Sequence, residues 1–128
     1  MIEPLLPADI IAPFGNYAHG MLLSTPQRLV FTSGQLGISK DGAIPADITQ
    51  QTQLCFHNIE RILAAANMSA ANIVQLRAFV TQRAFFAPYM QVRDAFLHNR
   101  QVASTLLVVG GFTREEFLVE IEATAVAI

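Results

Sequence analysis

Three features of this sequence predict an α+β fold, with two helices packed on one face of a mixed β-sheet. Two segments repeat apolar residues at three- and four-residue spacing, the mark of helices that lie on a sheet. Other segments alternate or are rich in β-branched residues. The two kinds interleave as strand, strand, helix, strand, helix, strand, strand, an order that places both helices on one side of a sheet. With 128 residues and 14.0 kDa, the chain has the size of one domain, expected to span residues 1–128. A domain of this length buries roughly two-thirds of the surface its unfolded chain exposes, enough for a core without disulfide bonds or a structural metal.

The elements follow from local chemistry. After a start bearing Pro4, Pro7 and Pro13 and expected to be loose, Gly20 to Ser24 and Arg28 to Ser33 flank Thr25-Pro26-Gln27 and read as a hairpin of two short strands. Asp41-Gly42 is a turn signal, and Asp47 is placed to cap a helix. From there Ile48, Thr52, Cys55, Ile59, Ile62, Leu63 and Ala66 form an amphipathic stripe. Asn72 to Thr81 reads as a strand buried on at least one face. Pro88 suits the first turn of a second helix, whose Tyr89, Val92, Arg93 and Phe96 share a face before His98 and Asn99 end the pattern. Thr105 to Val109 is extended, and Gly110-Gly111 breaks it. Phe117 to Val126 alternates as a long strand, with Phe117, Val119, Ile121, Ala123 and Ala125 on one face. Leu118, Glu120, Glu122, Thr124 and Val126 take the other.

Composition narrows the function classes. The chain is 52% hydrophobic and only 14% charged, with net charge -2, so polar residues are too few to cover it and an oligomer is expected. The sheet face left without helices is the natural surface for subunits to bury against one another. One lysine, Lys40, and seven arginines are dispersed along the sequence, unlike the concentrated basic face of a nucleic-acid binder. No apolar run approaches the roughly 20 residues of a membrane span. A single cysteine and no recognisable leader predict a reducing compartment, the cytoplasm.

Few residues offer chemistry. Glu120 and Glu122 interrupt an otherwise apolar strand, where a carboxylate is costly unless paired, hydrogen-bonded or functional, and where burial tunes it toward acid–base work. For Glu122 the ordinary reading, solvent or an arginine partner, is preferred. Ser33-Gly34-Gln35 ends a strand with a residue that permits close backbone approach, suited either to an oxygen-binding wall or to a plain turn. Tyr17 lies in a polar-aromatic patch, Phe14 to Gly20, as a substrate-orienting phenol or as an interface tyrosine. His19, His57 and His98 lack metal-site spacing, so no metal is expected, and no phosphate loop or dinucleotide fingerprint calls for a cofactor. Cys55 falls on the first helix's apolar stripe as a small buried hydrophobe, and Ser104 and Thr105 have no triad around them.

Several stretches together resemble the Rid family of reactive intermediate imine/enamine deaminases, also called YjgF-like or endoribonuclease L-PSP. They are Gly15-Asn16-Tyr17, Phe31-Thr32-Ser33-Gly34-Gln35, Asp47 followed by Gln51-Thr52, Asn58-Ile59, Asn72-Ile73-Val74, Phe79-Val80-Thr81 and Val119-Glu120-Ile121-Glu122-Ala123. Each alone is weak, but their order and spacing cover nearly the whole chain. The resemblance implies a chorismate-mutase-like fold of the bacillus type, assembled as a homotrimer with ligand clefts between neighbours. It also implies cofactor-free hydrolysis of a small imine or enamine metabolite, with Glu120 positioning water, Tyr17 in the cleft and Ser33-Gly34 forming a backbone-lined wall.

One departure stands out. Deaminating members typically read Pro-Ala-Arg followed by Ser or Thr, where this chain reads Val102-Ala103-Ser104-Thr105, so Ser104 or Thr105 takes the place of the substrate-anchoring arginine. A hydroxyl cannot replace the fork of a buried guanidinium, worth about 2–3 kcal/mol against a carboxylate. The cleft is then expected to take a less acidic substrate, or to recruit another arginine such as Arg93 or Arg100. Met90 stands where some members carry a polar residue. The alternative is a non-catalytic member that binds a small metabolite, and endoribonuclease activity ranks last because the arginines are dispersed and the charge is negative.

Overall fold

Asp47 starts the first helix as its residue type predicts, its carboxylate accepting the Gln50 N–H at 3.0 Å, and α1 runs Ile48–Ala65. Its inward stripe buries Thr52, Cys55, Ile59 and Leu63, and adds Phe56 and Gln51. In α2, Phe86–Phe96, Pro88 occupies the first turn and Tyr89 and Arg93 are the buried residues. His98 and Asn99 follow at φ 51° and 60°, a left-handed pair that ends the helix. The two helices meet through Phe56, stacked on Phe96 and Tyr89 at ring separations of 4.5 and 6.1 Å.

This is a computed structural model, and it describes residues 1–128. Both helices lie on one face of a five-stranded sheet built from β3 (Arg28–Phe31), β4 (Gln35–Leu36), β5 (Ile73–Val80), β6 (Ala103–Val108) and β7 (Val119–Ala127). Strand order is β3-β7-β5-β6, with β4 following β3 along the same side of β7. The β7 strand runs antiparallel to its neighbours while β5 and β6 are parallel, so the sheet is mixed, and the architecture is the expected chorismate-mutase-like α+β fold. Alternation on β5 and β7 sends Leu76, Ala78, Val80, Val119, Ile121, Ala123 and Ala125 into the core with Cys55, Ile59 and Leu63. At the sheet's end, buried Gln51 donates to the carbonyls of Pro45 and Glu116 and accepts from Leu118 N–H, so each of its polar atoms is satisfied. Gly37 is fixed there by contact: a Cβ on it would stand 2.5 Å from Gln51 Cβ.

The N-terminal third departs from expectation. The chain start is not loose, because β1 (Ile2–Leu5) pairs antiparallel with β2 (Gly20–Leu23) as a separate two-stranded sheet. The expected hairpin around Thr25-Pro26-Gln27 therefore does not form: β2 goes to β1, and β3 joins β7. A three-residue turn signal cannot compete with partners that offer complete ladders elsewhere. No helix is long and apolar enough to cross a membrane.

Candidate functional site

The face of the sheet turned away from the helices holds the candidate residues Glu120 and Thr105. Period-two alternation brings Glu120, Glu122 and Thr124 of β7 onto it, with Gln75, Arg77 and Phe79 of β5 and Thr105 and Leu107 of β6. These residues form rows across the strands, one of Glu122, Arg77 and Thr105 and the next of Glu120, Phe79 and Leu107. Arg77 Nη1 meets Glu122 Oε1 at 3.3 Å, with both side chains partly exposed. Beside that pair is a depression of about 270 Å³, lined by Phe31, Thr32, Gln75, Arg77, Glu122 and Thr124.

Ser33 and Gly34 are held against the same strand by an irregularity. Phe31 pairs with Thr124 but Gln35 pairs with Ile121, so four steps along one strand match three along the other and one residue is extra. Such a bulge bends the strand and re-aims the side chains beyond it. It brings Gly34 so close to β7 that a Cβ there would stand 2.6 Å from Glu120 Cδ. Glycine is therefore required for the Glu120 carboxyl group to keep its place, half-buried beside the Gly34 backbone.

Tyr17 stands elsewhere. Ala18 forms a parallel bridge with Ala103, adding its segment outside β6, and the Tyr17 hydroxyl accepts the Phe14 N–H at 3.2 Å. Gly34, on the β4 side, and Tyr17, beyond β6, thus occupy opposite edges of one sheet. Four strand spacings between them amount to about 19 Å. One chain brings Glu120 together with Gly34, and Thr105 onto their face, but does not bring Tyr17 to them.

The register also separates Ser104 from Thr105. Ser104 pairs with buried Leu76 and points to the helix layer, where its hydroxyl accepts from Arg93 Nη1 at 3.4 Å. Thr105, exposed, shares the face of Glu120. Neither arginine nominated from the sequence reaches that face. Arg93 is 3% exposed, bonded to Asp94 and stacked over Tyr89, and Arg100 is spent on the carbonyls of Ala70 and Ile73. The arginine that does reach it is Arg77, which sequence reasoning missed. Its parity was legible, since Leu76 and Ala78 alternate around it, but its partners on β6 and β7 were not.

Cys55 is no nucleophile in this setting. Burial, and then the charge of Glu120, push its thiol up to about 12, so it stays protonated at neutral pH. No three His, Cys, Asp or Glu side chains converge as metal ligands would.

The sequence profile described as Endoribonuclease L-PSP matches residues 8–127. The chain belongs to the endoribonuclease L-PSP family. Within this family, which is also the Rid family, YyfB from Yersinia pestis superposes with a TM-score of 0.87 at 26% identity, over 98% of each chain. Escherichia coli TdcF, in a structure with bound serine, gives 0.75 at 29% identity over 100% of this chain and 98% of its own. In sequence TdcF, provisionally named a reactive intermediate deaminase, is 34% identical over 88 residues, 68% of this chain but just 66% of TdcF. A RutC family protein from Haemophilus influenzae is 32% identical over 120 residues, 90% of this chain and 89% of its own.

Proposed function

We propose that this protein hydrolyses a small imine, enamine or related C–N metabolite, without a cofactor, in a cleft that two copies of the chain complete within a cytoplasmic homotrimer. The observation that carries the reading is the placement of Glu120, half-buried at the Gly34 bulge on the sheet face that the two helices of its own chain leave uncovered. The division of Tyr17 and Gly34 between opposite edges supports the trimer, because a neighbour's Tyr17 edge meeting this chain's Gly34 edge reunites them. Exposed Phe31, Leu29 and Leu107 on the same face supply apolar area for that contact. The serine bound in TdcF and that protein's name support a ligand of amino-acid size and C–N chemistry.

In this mechanism Glu120 accepts a proton from water as the oxygen attacks the imine carbon, and returns it to nitrogen. Glu120 then takes the hydroxyl proton of the resulting carbinolamine and delivers it to nitrogen as the C–N bond breaks, giving a carbonyl product and ammonia. Backbone N–H groups at Ser33-Gly34 and the Tyr17 phenol orient the substrate, a task of positioning that carries much of such a rate enhancement. Thr105, with no guanidinium, is the position that keeps a second reading in view, a trimer that binds the metabolite without turning it over.

Ammonia release from imino acids generated by an amino-acid oxidase tests this. Wild type accelerates release, and Glu120→Gln lowers it by about 100-fold or more, the scale of a lost general base, while its melting temperature stays within a few degrees. Ligand-dependent stabilisation without ammonia establishes the binding reading instead. RNA cleavage by stringently purified protein would establish the nuclease that the family description names. A light-scattering mass near 14.0 kDa would end the trimer.

A further inference from the structure

Two carboxylates and one guanidinium make up the charged side chains on the open sheet face. Glu120 and Glu122 come from β7 and Arg77 from β5, leaving a net negative surface that repels an acidic ligand everywhere except at Arg77. Arg77 is only partly engaged. It gives Nη1 to Glu122 Oε1 at 3.3 Å, while Nε and Nη2 have no acceptor in the chain. With side chains 55% and 34% exposed, that ion pair belongs to a class that contributes at most about 1 kcal/mol, so a ligand carboxylate can displace Glu122 or share the fork with it at small cost. The planar guanidinium presents two parallel donors to such a group, which a lysine could not.

The neighbours of Arg77 fit the same role. Thr105 lies directly across the β5–β6 ladder from it, with a hydroxyl on the same face, and the depression of about 270 Å³ opens on the other side of Arg77, toward Gln75, Thr124 and Phe31. Glu120 is the diagonal neighbour, one pair further along β7, at about 7–8 Å between Cα atoms. The Glu120 row and the depression flank the Arg77 row on opposite sides, so a carboxylate held at Arg77 adjoins both.

We infer that Arg77 is the residue that anchors the anionic group of the ligand, doing from β5 what Thr105 on the adjoining strand cannot. The inference rests on the proposed hydrolase activity for what happens to the ligand next, but anchoring itself is a binding property and can be tested separately.

The test measures binding of pyruvate and of its uncharged methyl ester to the assembled protein by calorimetry, alongside turnover of imino acids. Wild type prefers the acid, and Arg77→Gln weakens pyruvate binding by about 10- to 100-fold while leaving the ester unchanged, the range for a hydrogen-bonded charge. Arg77→Lys recovers part of the preference, and adding Thr105→Arg to Arg77→Gln restores it from the neighbouring strand. A merely structural arginine would instead change the light-scattering mass or the melting temperature and show no such rescue. Equal pyruvate affinity in wild type and Arg77→Gln overturns the inference, as does a wild type without preference for the acid. Turnover with an unchanged KM in Arg77→Gln removes the anchor and leaves the hydrolase. Carboxylate binding lost in Arg77→Gln, in a protein that releases no ammonia, keeps the anchor and removes the hydrolase.

Discussion

The two faces of the five-stranded sheet share the same strands and the same alternation, yet they have opposite characters. On the helix side, β5 and β7 bury Leu76, Ala78, Val80, Val119, Ile121 and Ala123 at 4% exposure or less. On the other side the intervening residues of those strands are Arg77, Phe79, Glu120 and Glu122, and the adjoining strands expose Leu29, Phe31 and Leu107 by 52%, 72% and 49%. The first face is completed by its own chain. The second is apolar at its margins and charged in its middle, a pattern suited to being covered by another copy while keeping a wet, chemically equipped centre. What a strand contributes thus depends less on its composition than on which of its faces the helices cover.

The comparison breaks most readily on the covered side. Ile59→Ala removes a fully buried side chain that packs in the core between α1 and the sheet, and is expected to cost about 3 kcal/mol, lowering the melting temperature by roughly 10 °C or more. A loss below about 1 kcal/mol in denaturant titrations would mean that the helix layer is far looser than its burial indicates.

A smaller effect is expected from pH, again on the covered side alone. The Cys55 thiol is pushed from its ordinary value of 9.0 up to about 12, and the buried Tyr89 phenol is raised from 10.0, both chiefly by desolvation. Their folded values exceed the unfolded ones, so this contribution is whole below about pH 9 and is lost as pH rises through the folded values. The decline cannot exceed about 1.4 kcal/mol per pH unit for each group. Denaturant midpoints at pH 7.5 and 10.5 should fall for wild type and fall less for Cys55→Ala, and equal declines would remove Cys55 from the explanation.

The smallest change in fold energy is expected on the open side. Leu107→Asp, already half exposed, should shift the stability of the individual chain by no more than about 0.5 kcal/mol while lowering the light-scattering mass toward 14.0 kDa. Retention of the assembled mass would show that this face is not the contact surface, and would sharpen the contrast by leaving it wholly to the ligand.

The sequence is most legible where structure is local. The Asp47 cap, the stripe of α1, the left-handed stop at His98 and Asn99 and the alternation of β7 are each set by residues within one or two turns or strand repeats. Glu120 was legible as a charge that an apolar strand has to explain. The failures were failures of pairing. Thr25-Pro26-Gln27 has the composition of a hairpin turn, but β2 meets β1 and β3 meets β7, and no local residue type encodes which non-adjacent segment a strand will pair with. Arg93 and Arg100 are the replacement cations that nearness in the chain offers, whereas the Arg93 guanidinium is held by Asp94 and Ser104 inside the helix layer and that of Arg100 by the carbonyls of Ala70 and Ile73.

Sequence alone therefore determined the elements, their amphipathic faces, the family pattern and the absence of an arginine at Ser104-Thr105, because periodicity and short motifs are properties of neighbouring residues. Tertiary structure decided which of Ser104 and Thr105 shares the face of Glu120, that Gly34 must be glycine, that Tyr17 lies at the far edge and that Arg77 is the cation on hand. Each of these depends on strand register, and register is fixed only when distant segments bury one common core, since a slip of one residue sends every side chain to the other face.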